Sequence, residues 1–114
     1  MRRLLRFSFL AVLLFLSPRI NAAEGETVVF DLSGNGTRNT RPFTVQNKWE
    51  IRWDVKTDHF ALHLYTATGE AQGMLPVGSQ DGPGRGATFG PDGGNYYLKI
   101  IAKGDWHITV VQLP

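Results

Sequence analysis

The chain is expected to be all-β: an antiparallel β-sandwich of jelly-roll type, with about seven or eight short strands, after a cleaved N-terminal signal peptide. Three observations predict it. Trp49, Ile51, Trp53 and Val55 alternate with Glu50, Arg52, Asp54 and Lys56, the period of a strand with one dry and one wet face. Two runs, 94–102 and 106–111, are rich in aromatic and β-branched residues and are joined by Lys103-Gly104-Asp105, which predicts a C-terminal hairpin as the spine of the fold. Turn signals recur at short intervals, and no helical period is visible beyond the first residues.

Arg2, Arg3 and Arg6 precede an apolar run from Phe7 to Leu16 that only Ser8 interrupts, and Pro18 then leads to the small residues of Ile20-Asn21-Ala22-Ala23. This is the pattern of a secretory signal. It divides the chain into a signal peptide, 1–22, and one domain, 23–114. A membrane helix needs about 20 apolar residues. Leu4 to Leu16 falls short, so no membrane insertion is expected after cleavage, and the expected location is secreted or periplasmic, in a bacterium. Arg2, Arg3, Arg6 and Arg19 are four of the twelve basic residues, and none of the ten acidic ones lies in the signal. The remainder therefore carries eight positive against ten negative groups, net −2, and no nucleic-acid partner is expected, because phosphate binding needs a clustered basic surface. The chain has no Cys, which rules out a disulfide staple and thiolate chemistry and leaves packing to hold the fold.

In order, residues 26–32 read as a first strand with Val28, Phe30 and Leu32 on one face, and Ser33-Gly34-Asn35-Gly36-Thr37 as a turn. Asn35-Gly36-Thr37 also matches the glycosylation triplet, although the turn chemistry explains it without modification. Residues 41–45 read as an edge-like strand, because Pro42 donates no ladder hydrogen bond. The strand 49–56 follows, then 59–66 with Phe60, Leu62 and Leu64 inward, and a turn at Thr68-Gly69-Glu70. Glycine and proline crowd 67–94, leaving short strands at Met74–Val77 and Ala87–Phe89, with Phe89 inward and 82–86 as a flexible loop. The last two strands place Tyr96, Leu98, Ile100, Trp106, Ile108 and Val110 in the core.

The succession Phe43-Thr44-Val45, Trp49-x-Ile51-x-Trp53, Phe60-x-Leu62-x-Leu64-Tyr65, a Gly-rich stretch, Gly94-x-Tyr96-Tyr97-Leu98-x-Ile100 and Gly104-Asp105-Trp106-x-Ile108-x-Val110 resembles bacterial pre-peptidase C-terminal domains and related secreted jelly-roll modules. The likeness runs from Phe43 to Val111, on core and turn positions. It implies a non-catalytic module of the kind appended to secreted enzymes. Some relatives bind calcium through clustered acidic residues, a cluster that does not map here.

No constellation for catalysis stands out. His59 and His63 share strand parity but lie about 13 Å apart along a strand, which leaves His63 and His107 as the one pair able to meet across strands. No third zinc ligand is nominated. Asp81 and Asp92, each in an Asp-Gly turn, are the calcium candidates, with ordinary turn chemistry the better reading. Ser33 and Ser79 lie in turns without a nucleophile context, so no enzyme, cofactor or catalytic residue is expected. Tyr65 and Tyr97 have outward parity beside His63 and Lys99; if they share a face with Ile101, a partly apolar patch is exposed. The expected binding surface is Tyr65, Tyr97, His63 and Arg85, and the expected function an exported binding module for a cell-envelope protein or polysaccharide. The alternative is a structural or inhibitor-like interaction protein acting through the Gly-rich loop 78–94, and an enzyme is the remote third.

Overall fold

The alternating segments pair into two antiparallel sheets whose apolar sides face each other. The computed structural model describes residues 24–73 and 75–114. The expected signal peptide lies outside the described residues, as does Met74. The strands are β1 (Thr27–Asn35), β2 (Arg38–Asn39), β3 (Phe43–Val45), β4 (Trp49–Val55), β5 (Phe60–Thr66), β6 (Gly78–Gln80), β7 (Gly84–Phe89), β8 (Gly94–Ala102) and β9 (Asp105–Gln112). Sheet A has the order β1-β9-β4-β7. Sheet B has the order β2-β8-β5-β6, with β3 also on β8. Because β2 and β3 are two halves of one broken edge strand, the count is effectively eight, and the order is that of a jelly roll.

One regularity underlies this topology. Thr27 faces Gln112, Arg38 faces Ile100, Phe43 faces Tyr96, Glu50 faces Phe89 and Phe60 faces Gln80. The two residue numbers of every such pair total between 138 and 140, so the described chain is one long hairpin folded about residues 69–70 and then rolled up. The tip is the Thr68-Gly69-Glu70 turn, where Gly69 has φ 97° and the Thr66 amide donates to the Glu70 carbonyl at 2.8 Å. Rolling closes the sandwich through two further ladders, β4 on β9 and β5 on β8.

Where the register changes, the chain bulges. A shift between Val28 and Phe30 leaves Val28 opposite Val111, while Val29, Phe30 and Leu32 pack on the core. Val28 is thus not part of the inward set. On the other edge Thr40, Arg41 and Pro42 oppose only Leu98 and Tyr97. There the buried Thr40 donates its amide to the Leu98 carbonyl (2.8 Å) and accepts the Leu98 amide on its hydroxyl (3.0 Å), so both backbone groups of Leu98 are satisfied despite the irregularity at Pro42.

The core holds Trp49, Ile51, Trp53 and Val55 of β4 and Trp106, Ile108 and Val110 of β9 against Phe60, Leu62 and Leu64 of β5 and Tyr96, Leu98 and Ile100 of β8. Each fully buried aliphatic side chain contributes about 1.5–3 kcal/mol. An aromatic chain runs through one end: Phe30 stacks on Phe43, Phe43 meets Trp49 edge-on, and Trp49 stacks on Tyr96 at 5.5 Å. All three indoles have their N–H groups satisfied. Trp49 donates to the Pro91 carbonyl (2.7 Å), Trp53 to the Gln80 side-chain oxygen (3.1 Å) and Trp106 to the Gly36 carbonyl (2.8 Å).

Four expectations change. The runs 94–102 and 106–111 are the central strands of their sheets, as a spine should be, but they do not pair: Lys103 and Gly104 carry the chain from sheet B to sheet A. The carbonyls of Gly104 and Asp105 accept from Gly36 and Lys56 of neighbouring turns instead of closing a hairpin. The segment 82–86 is not a loop throughout, since β7 begins at Gly84. No strand forms at 75–77; β6 begins at Gly78. Phe89 points outward and is 73 % exposed, because the inward positions of β7 include Gly86, where Trp53 fills the space.

Glycine at these places is a packing requirement. A Cβ built on Gly86 would stand 2.5 Å from the Trp53 ring, on Gly78 2.7 Å from the same ring, and on Gly34 2.5 Å from Trp106; Gly90 is equally closed by Trp49. Gly34 therefore belongs to β1, and the turn starts only after Asn35, at Gly36. Gly86→Ala and Gly90→Ala are each expected to lower stability by about 1–3 kcal/mol through overpacking. Gly82→Ala, where a Cβ meets nothing within 4 Å, stays within about 0.5 kcal/mol of wild type, all three measured by urea unfolding.

Candidate functional site

The sandwich has two outer faces, and the outward side chains of its strands build them differently. On sheet A the rows are Val28, Val111, Glu50 and Phe89; then Asp31, Thr109, Arg52 and Ala87; then Ser33, His107, Asp54 and Arg85. These charges engage one another. Arg52 bridges Glu50 (2.7 Å) and Glu26 (2.8 Å), and the hydrogen bond to Glu26, ahead of the opposing cost of burial, raises its pKa above the usual value. Arg85 and Lys56 flank Asp54 at 3.3 and 3.9 Å. One Asp31 oxygen meets the His107 Nε2 at 2.7 Å and accepts the Thr109 hydroxyl at 2.9 Å, and Asn35 donates to Asp105 at 2.7 Å. Val111, outward by parity, is nevertheless fully buried; its ladder neighbours are Val28 and Glu50, at the end of the face that the Arg52 bridge spans.

A cleft of about 480 Å³ on this face is lined by Arg52, Asp54, Arg85, His107 and Thr109 among others. Ser33 is the ladder partner of His107, and Asp31 holds that imidazole. The Ser33 side chain makes no hydrogen bond among the described residues, so a nucleophile primed by His107 is not assembled.

On sheet B the outward positions are Asn39 of β2, Thr44 of β3, Ala61, His63 and Tyr65 of β5, Ser79 of β6, and Asn95, Tyr97, Lys99 and Ile101 of β8. None is a carboxylate. Tyr65 faces Tyr97, His63 faces Lys99 and Ala61 faces Ile101. The two tyrosine rings stack at 5.1 Å and 12°, and Ile101 is 42 % exposed. Among the described residues neither tyrosine hydroxyl, nor His63, nor Lys99 has a hydrogen-bond or ion-pair partner. The hydrogen bond from Thr44 to Asn95 (2.6 Å) is the side-chain contact at the margin of this face.

The expected surface residues are therefore divided. Tyr65, Tyr97 and His63 come together on sheet B, with Lys99 and Ile101 beside them. Arg85 stands on sheet A, on the opposite side of the molecule. His63 and His107 likewise lie on opposite outer faces and cannot share an ion. Asp81 and Asp92 flank the two ends of β7, a strand of about 20 Å, and the Asp92 carbonyl accepts the Tyr96 hydroxyl at 2.6 Å. They do not converge on one cation, and no group of three or more metal-ligating side chains occurs among the described residues.

Missed at the sequence level were the Asp31–His107–Thr109 cluster and the position of Asn39 beside Lys99. Both depend on partners some 60 to 78 residues away, and only the mirrored register reveals them. Arg52→Met is expected to cost about 1 kcal/mol in urea unfolding, since it leaves Glu26 and Glu50 without the cation between them. Added NaCl should narrow the gap from wild type. Comparison with protein families, with curated proteins and with solved structures finds no match, so the likeness to pre-peptidase C-terminal domains stands on its core and turn motifs alone.

Proposed function

We propose that this is a small exported, non-catalytic binding module, and that its site is the outer face of sheet B, where a polysaccharide of the cell envelope lies across Tyr65 and Tyr97. One contrast carries the reading. The ionic side chains of sheet A's outer face are engaged with each other, whereas the polar tips of Tyr65, Tyr97, His63 and Lys99 are left without partners inside the described chain. Tyrosine suits a sugar: its ring offers apolar surface to the C–H side of a pyranose, and its hydroxyl both donates to and accepts from sugar hydroxyls. The pair is fixed on two central strands of a packed sandwich, so little side-chain freedom is lost on binding. Ile101 and Ala61 extend the apolar strip beside it. Export is supported by the basic, apolar and small-residue succession of residues 1–22.

Affinity electrophoresis through gels containing soluble polysaccharides tests this. Tyr97→Ala should weaken retardation about tenfold or more, as loss of a central aromatic anchor does. Its effect on stability should stay near the 0.5–1.5 kcal/mol of one aromatic pair. Retardation unchanged in Tyr97→Ala, with stability alone reduced, would make the pair a cross-strand brace and refute the reading.

A further inference from the structure

We infer that the polysaccharide taken by sheet B is acidic, its sugars bearing carboxylates; the inference rests on the reading just given and names its ligand class. Charge is distributed unevenly between the two faces. Five carboxylates, Glu26, Asp31, Glu50, Asp54 and Asp105, gather on the outer side of sheet A, each held by a partner there. The ten outward strand positions of sheet B carry none, although the chain from residue 24 onward has more acidic than basic groups. What sheet B carries is Lys99 directly opposite His63, both without ion-pair partners among the described residues. Arg38 and Arg41 are exposed at the β2–β3 edge, but Arg38 opposes the inward Ile100 and both line the groove beside β1, so the cation of the outer face is Lys99, whose ladder partner is Asn39.

Spacing makes the two features one site. The Lys99–His63 row is the next outward row after Tyr97–Tyr65, about 7 Å along the strands. A sugar resting on the tyrosines therefore places a substituent of its own or of the neighbouring unit within reach of the Lys99 ammonium. A neutral polymer would leave that cation, held near the centre of the sheet, without a counter-charge in the complex. A cationic polymer would be repelled by it. Asp58 and Glu70, the acids of the turns flanking β5, lie beyond the strand rows and do not neutralise the patch by any ion pair.

The test uses the purified protein with polygalacturonate, alginate and hyaluronan, each paired with its carboxyl-reduced form, in titration calorimetry and affinity gels. At least one acidic polymer should bind, and its carboxyl-reduced form should bind about threefold or more weakly, the margin shrinking as NaCl is raised. Lys99→Gln should bring the affinity for the acidic polymer down to that for the reduced one, while Tyr97→Ala should weaken binding of both about tenfold or more. Equal binding of acidic and reduced forms, or a preference for the reduced form, overturns the charge inference and leaves the polysaccharide site standing. Binding to none of the six polymers overturns both. Lys99→Gln with a wild-type circular dichroism spectrum and undiminished preference for the acid overturns the role of Lys99, and with it the inference.

Discussion

The seating of three indoles on glycines is the constraint from which the rest of this structure follows. Trp49, Trp53 and Trp106 all belong to sheet A, and the volume of each ring is accommodated because Gly90, Gly86 with Gly78, and Gly34 present no side chain toward it. Each indole N–H is then donated to the chain that flanks the glycines: to Pro91 beside Gly90, to Gln80 two residues from Gly78, and to Gly36 two residues from Gly34. Apolar burial and hydrogen-bond satisfaction thus converge on the same short segments. That is how strands as thin in side chains as β6 and β7 are held without a disulfide.

A second consequence is the mirrored register. Since residues of the two arms pair with numbers totalling 138 to 140, a turn in one arm is matched by a turn in the other, and neighbouring turns bond each other. Gly36 donates to Gly104 and Lys56 to Asp105 at one end of the sandwich. At the other, Gly93 donates to the Asn47 side chain, and the Gln112 amide reaches the carbonyls of the turn at Lys48, a residue with φ 66°. Where the arms differ by one residue along an edge strand, near Val29 and at Thr40–Pro42, the pairing is irregular.

Much of this is legible in the amino-acid sequence. The alternation in 49–55, 60–66 and 94–102 predicted strands with the right faces, and the parity of Tyr65 and Tyr97 predicted that they look outward together, because alternation is local and period two leaves little choice. What sequence could not convey was who pairs with whom. A three-residue join between two apolar runs suits a hairpin and a crossing between sheets equally well, so 94–111 read as a pair although its halves face each other across the core. Glycine misled for a related reason: it signals flexibility when its surroundings are unknown, and only the indole above Gly86 shows that it marks a tight contact. Arg85 does not join the tyrosines, because β7 pairs with β4 in sheet A, a partnership that local alternation does not encode. The tyrosine, histidine and lysine of sheet B needed only parity.

The two outer faces have come to different chemistry from the same architecture. Sheet A closes its charges on themselves, which steadies an edge-rich sheet, and sheet B keeps aromatic and cationic groups open on a platform fixed by the core beneath. Both depend on the indoles staying seated, and exchange of the indole N–H groups measures that directly. In 15N-labelled protein placed in deuterated water, the three indole signals are predicted to persist as long as the most protected backbone amides of β4 and β9. Indole protons that vanish in the first spectrum while those amides remain would show that the rings are not held as described, and the account would be wrong at its base.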